Sequence, residues 1–126
     1  MAGGKVLGVG GIFIRARDPA ALSAWYRDHL GIDATQSGQP TPEGRWTWLQ
    51  EAGDTVFAMF AAETDYWPAE KQVMLNLRVS GLDELVTALE AAGIEVGNRE
   101  EMEGVGRFAR IHDPEGNPLE LWEPAG

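Results

Sequence analysis

The chain contains no cysteine. Disulfides, thiolate nucleophiles and cysteine-based zinc or iron–sulfur centres are therefore excluded. Basic residues are also few: 10 Lys and Arg stand against 20 Asp and Glu, for a formal charge of −10. Duplex nucleic acid and anionic membrane surfaces both demand a cationic surplus, so neither is expected as a partner. Long apolar runs are missing as well. The longest, VFAMFAA over 56–62, falls far short of the roughly 20 residues that span a bilayer. The opening MAGGKVLGVGG carries one lysine and no long apolar stretch, and it does not read as a signal peptide. A reducing cytosol suits a cysteine-free chain, so the expected location is cytoplasmic. What is present, 126 residues of which 44% are hydrophobic, is enough for one globular domain with a sizeable core.

Local patterns alternate between strand and helix. VLGVGGIFIRA has β-type apolar alternation, and Asp18-Pro19 then offers an N-cap followed by proline at the first helical position. Leu22, Trp25, Tyr26 and Leu30 fall at helical spacing, and Gly31 supplies a stop. VMLNLRVS reads as a second strand, followed by a helix on Leu82, Leu85, Val86 and Leu89 that ends before Gly93. The glycines of GVGG come before a strand rather than between a strand and a helix, which is the wrong context for a phosphate loop.

The two halves repeat. At an offset of 63, IRARDPAAL lies over LRVSGLDEL, and TVFAMF lies over PLELWE. At an offset of 62, GID from Gly31 lies over GIE from Gly93, and GRWTWLQE over GRFARIHD. Four ordered matches at one period point to a duplicated module of strand, helix and three strands. The expected fold is α+β: module 1 over about 5–62, a linker over about 63–72 and module 2 over about 73–124. The polar stretches TQSGQPTPEG and NREEMEG read as loops at the rim of an opening.

The double βαβββ pattern, the RDPAALSAWYRDHLG start and the DPEGNPLELWEP finish resemble the vicinal oxygen chelate superfamily, which includes glyoxalase I, bleomycin-resistance proteins and extradiol dioxygenases. The resemblance implies two modules whose mixed sheets curve round a cleft, within a homodimer. It also implies metal-ligand positions on the first and fourth strands of each module, which fall here on Gly11, Phe57, Met74 and Glu120. Only Glu120 can coordinate a hard or borderline divalent cation, whereas a stable site takes at least three protein ligands in most cases. No metal cofactor is expected. His29, near a helix end, and His112, before a turn, have ordinary structural uses and do not restore the site.

Strand alternation assigns the cleft lining. Ile12, Ile14 and Ala16 face a helix in module 1, as do Leu75, Leu77 and Val79 in module 2, which leaves Gly11, Phe13, Arg15, Met74, Asn76 and Arg78 for the cleft. Trp46, Trp48, Phe57 and Met59 join them from module 1, and Phe108, Arg110, Glu120 and Trp122 from module 2. Apolar walls with a few orienting polar groups suit a small molecule, and the arginines favour an anionic or planar carbonyl-rich one. Glu120 then has two candidate roles: a general base with a raised pKa beside an oxyanion-stabilising arginine, or a counter-ion for Arg78 or Arg110. Three functions follow in order of preference: a metal-independent small-molecule binder, a lyase, isomerase or dioxygenase with relocated metal or metal-free acid–base chemistry, and a non-catalytic interaction domain.

Overall fold

The computed structural model describes residues 3–126. It contains helix α1 (Pro19–Leu30), strand β1 (Leu75–Arg78), helix α2 (Leu82–Ala91) and strands β2 (Gly97–Met102), β3 (Gly106–His112) and β4 (Pro118–Pro124). The four strands form one mixed sheet in the order β1-β4-β3-β2, with β1 parallel to β4 and the other pairs antiparallel. The architecture is α+β, as expected from the sequence.

The helices begin where the local chemistry allows. The Asp18 carboxylate accepts a hydrogen bond from the Ala21 N–H at 3.1 Å, Pro19 needs no donor at the first position, and Gly31 ends α1 in the left-handed conformation. Helix α2 starts 63 residues after α1, at the period of the sequence repeat, but its cap position is Gly81, which has no side chain to offer. A carboxylate from the sheet takes that role: Glu123 accepts from the Leu82 N–H at 3.0 Å and is held in turn by Arg107 at 2.6 Å. These bonds hold the Glu123 carboxyl below its ordinary range, with the backbone donor as the larger cause.

Period-two alternation decides the core. Leu77, Ala109, Ile111, Leu119 and Leu121 turn to one face of the sheet and meet Leu22 and Tyr26 of α1 and Leu82, Val86 and Leu89 of α2. Leu82, Ile111, Leu119 and Leu121 have no exposed surface at all. Both helices therefore cover the same face. The turn between β3 and β4 fastens α1 there: the buried Asp113 carboxylate accepts from the Tyr26 hydroxyl at 2.7 Å, from the Glu115 and Asn117 N–H groups and from the Asn117 side-chain amide. Glu115 accepts the Arg17 and Asp18 N–H groups at 2.7 and 3.0 Å, which tethers the start of α1 to the same turn. The DPEGN motif thus serves as a clamp between the two halves of the chain.

Two expectations need correction. Among the described residues no strand precedes Leu75: the stretches expected as first-module strands carry no ladder, and no backbone hydrogen bond joins 5–16 to 46–60. Alternation is present there, but a strand exists only when a neighbour satisfies its N–H and C=O groups. Consequently Ile12 and Ile14 do not pack against a helix, and only Ala16 of that face reaches the core. The acidic NREEMEG, expected as a loop, lies largely in β2, because pairing with β3 outweighs the low β-propensity of its charged residues.

Candidate functional site

The sheet face opposite the helices carries the polar residues in cross-strand rows. One row runs Asn76, Glu120, Arg110, Gly97 across β1, β4, β3 and β2, and the next runs Arg78, Trp122, Phe108, Glu100. The second row is held by stacking of Phe108 on Trp122, with ring centroids 6.3 Å apart, and by the Trp122 indole N–H donating to the Val105 carbonyl at 3.0 Å. The sequence assignment of Asn76, Arg78, Phe108, Arg110, Glu120 and Trp122 to one face thus agrees with the register.

Glu120 is 8% exposed and its two oxygens accept from different donors: the Asn76 amide at 2.8 Å and the Tyr66 hydroxyl at 2.5 Å. The counter-ion role expected for it toward Arg78 or Arg110 does not appear, since no ion pair joins them among the described residues. Arg78 instead donates to the Glu51 carbonyl at 2.7 Å and packs against Gly53, where a side chain would collide with it. Arg110, the register neighbour of Glu120, turns its guanidinium against the Tyr66 ring, 4.8 Å from the centroid. Arg110 is 7% exposed, and its Nε and Nη2 have no hydrogen-bond partner among the described residues.

Tyr66 belongs to the stretch expected to be a plain linker. It stacks on Phe60 and joins an open cavity of about 710 Å³ lined by residues 63–69 together with Glu95, Gly97, Asn98, Arg110 and His112. Burial, followed by its bond to Glu120, pushes the Tyr66 hydroxyl up to about 12. Sequence reasoning missed this residue because the linker has no periodicity. The available signal was the adjacent pair Tyr66-Trp67 in an otherwise polar stretch.

The expected first-module lining is not gathered here. Phe13 and Phe57 are 95% and 84% exposed, and Arg15, Trp46, Trp48 and Met59 also face solvent, because the segments that carry them have no sheet to join. Met74 lies just before β1, half-buried. The four positions that the family resemblance assigns to a metal do not make a donor set: Gly11 has no side chain, Phe57 no donor atom, Met74 only a thioether, and the Glu120 oxygens are already hydrogen-bonded. Among the described residues no three His, Asp or Glu side chains cluster as a metal site would require, and no helix is long and apolar enough to cross a membrane.

Comparison with known proteins places this geometry in a family. No curated protein sequence matches the chain. Among solved structures, TnmS3, an antibiotic binding protein from Streptomyces sp. CB03234, is 25% identical over 89% of this chain and 91% of its own, with a TM-score of 0.59. A glyoxalase/bleomycin resistance protein from the same Streptomyces is 24% identical over 87% and 95%, with a TM-score of 0.57. A lactoylglutathione lyase from Agrobacterium tumefaciens is 21% identical over 91% and 94%, with a TM-score of 0.54, a likeness of fold. Residues 11–122 match the family model described as a glyoxalase-like domain, and the chain belongs to that family, within the vicinal oxygen chelate superfamily.

Proposed function

We propose that this protein is a metal-independent binder of small planar organic molecules, held on the open face of the sheet beneath the 63–69 segment. The observation that carries this reading is the state of Glu120. The one competent acid among the four family ligand positions is tied to the Tyr66 hydroxyl and the Asn76 amide, so its oxygens position neighbouring groups. Around it, Tyr66, Trp67 and His112 offer flat faces, and Arg110 and Asn98 offer polar contacts. The likeness to TnmS3, an antibiotic binding protein, supports binding over turnover.

The reading includes a second copy of the chain. The first-half segments 44–51 and 55–60 alternate apolar residues without a ladder among the described residues, and they match the pattern of the paired β3–β4 hairpin at 62–63 residues. Another copy presents the same unpaired segments and the free edge of β1, which is the partner that a self-complementary two-fold interface requires.

Two measurements test the proposal. Titration of a panel of planar aromatic compounds, followed by tryptophan fluorescence, is expected to give saturable binding that Arg110→Gln and Trp67→Ala weaken. Metal content of the purified protein is expected to stay far below one equivalent. A divalent metal near one equivalent, lost in Glu120→Gln, would overturn the reading and favour glyoxalase-like chemistry.

A further inference from the structure

Arg110 presents an unusual feature: a charged side chain, more than nine-tenths buried, that lines the cavity and has two donor nitrogens without a hydrogen-bond partner among the described residues. The Tyr66 ring faces the guanidinium but accepts none of these in-plane bonds, and leaving buried N–H donors unmet is costly, so such a group is either relieved by something that binds or removed without loss. The two unpartnered atoms are Nε and Nη2. Their N–H bonds form one side of the planar fork, pointing the same way, a spacing that matches the two oxygens of a carboxylate. Its register neighbour Glu120 does not supply those oxygens: they accept from Tyr66 and Asn76, and no ion pair joins Glu120 to Arg110 among the described residues.

We infer that Arg110 is the receptor for a carboxylate group of the ligand, and that the ligand is a planar aromatic monocarboxylic acid. This rests on the small-molecule binding reading and names the chemistry of its ligand. The fork accepts two oxygens of a carboxylate or of a phosphate equally well, so charge has to choose between them. The acidic surroundings decide against a dianion: Glu63, Asp65 and Glu95 line the cavity, and Glu120 lies one strand away from Arg110. A single negative charge is balanced by the one guanidinium, whereas a second meets only like charge. The aromatic part follows from Tyr66, Trp67 and His112 on the cavity wall. The Tyr66 ring covers the guanidinium, so the acid reaches the fork as that ring turns aside and leaves its bond to Glu120.

The test compares 1-naphthoate with 1-naphthamide, which has the same shape without the charge, using the full-length protein and tryptophan fluorescence. Naphthoate is expected to bind about 30-fold more tightly than the amide, and Arg110→Gln to abolish that preference. A second variant guards against misfolding: Arg110→Met is expected to lose naphthoate binding while its unliganded Tm stays equal to or above that of the wild type, since an unpaired buried charge has been removed. Equal affinity for acid and amide in the wild type, or a preference that survives in Arg110→Gln, would overturn the carboxylate assignment and leave the binding reading standing. Absence of binding by naphthoate, the amide and uncharged naphthalene alike would overturn both.

Discussion

The two halves of this chain carry similar patterns and end in different states. In the second half, GRFARIHD and PLELWE pair as β3 and β4 over a core in which Leu119 and Leu121 have no exposed surface. In the first half, GRWTWLQE and TVFAMF join no ladder among the described residues, and Leu49 is 90% exposed. The intrinsic preferences are alike, so the difference lies in what each segment can reach. The second-half strands have one another and two helices, because α1 crosses from its own half to pack on their sheet. The first-half segments have no helix over them among the described residues, since α1 covers that sheet. Alternation is thus a statement about which faces a strand will have, whereas pairing depends on a partner and on a cover for the apolar side.

A pair of leucine substitutions gives the largest contrast. Leu119→Ala removes fully buried atoms from the core, and is expected to lower unfolding stability by about 2–5 kcal/mol in urea titrations. Leu49→Ala is expected to change the stability of the single chain by less than about 0.5 kcal/mol, because nothing in that chain packs on it. If a second copy covers the first half, Leu49→Ser will instead weaken self-association by at least about tenfold in sedimentation experiments on diluted protein. A chain that remains monomeric at all concentrations would sink the dimer proposal.

The clamp between the halves comes next in size. Tyr26→Phe keeps the buried ring but withdraws the hydroxyl that donates to Asp113. The expected cost is about 1–2 kcal/mol by chemical denaturation, since the Asp113 carboxylate keeps its other three donors. Hydrogen exchange in α1 should accelerate more than in α2, whose own anchor is Glu123. Equal acceleration in both helices would mean that the clamp does not hold α1 separately.

Both helices and the second-half sheet were legible in the sequence. Cap residues marked α1 at both ends, the helical spacing of Leu82, Leu85, Val86 and Leu89 placed α2, and alternation sorted Leu77 from Asn76 and Leu121 from Glu120. The parts that did not come through are all non-local. Which sheet α1 would cover depends on Tyr26 meeting Asp113, 87 positions away. The partner of Glu120 turned out to be Tyr66, in a segment without periodicity, rather than either arginine on its own face. Charge pairing was the natural expectation for those arginines, but neither Arg78 nor Arg110 is within ion-pair distance of the acid, and hydrogen bonds from Asn76 and Tyr66 satisfy its oxygens instead.

Acid should act on both anchors. Glu115 holds the start of α1 through the Arg17 and Asp18 N–H groups, and Glu123 holds α2 through the Leu82 N–H; in each case the backbone bonds depress the carboxyl pKa below 4.5. A carboxylate with a depressed folded pKa stabilises the fold fully above its unfolded value and loses that contribution as pH falls through the folded one. Unfolding stability should therefore be level down to about pH 5 and decline below about 4.5. Glu115→Gln should flatten this decline on the α1 side and Glu123→Gln on the α2 side. A decline of unchanged slope in both variants would show that other carboxylates govern the acid limb.

The smallest effect distinguishes the two tyrosines, one in the clamp and one over the site. Both hydroxyls donate to a carboxylate, and both are held above the ordinary value of 10, chiefly by burial. Tyr26 lies in the core, whereas Tyr66 is only pushed up to about 12. A raised folded pKa contributes stability that is complete below the unfolded value and lost as pH rises through the folded one, so Tyr66 matters between about 10 and 12. Because the chain has only two tyrosines, tyrosinate absorbance can follow them directly: the native protein should show little ionisation at pH 10.5 and one residue titrating near 12. Glu120→Gln removes the carboxylate that accepts from Tyr66, and should move that single step downward while leaving Tyr26 silent. A step that stays in place would mean that the hydroxyl is held by burial alone, and the hydrogen bond between Tyr66 and Glu120 would lose its main support.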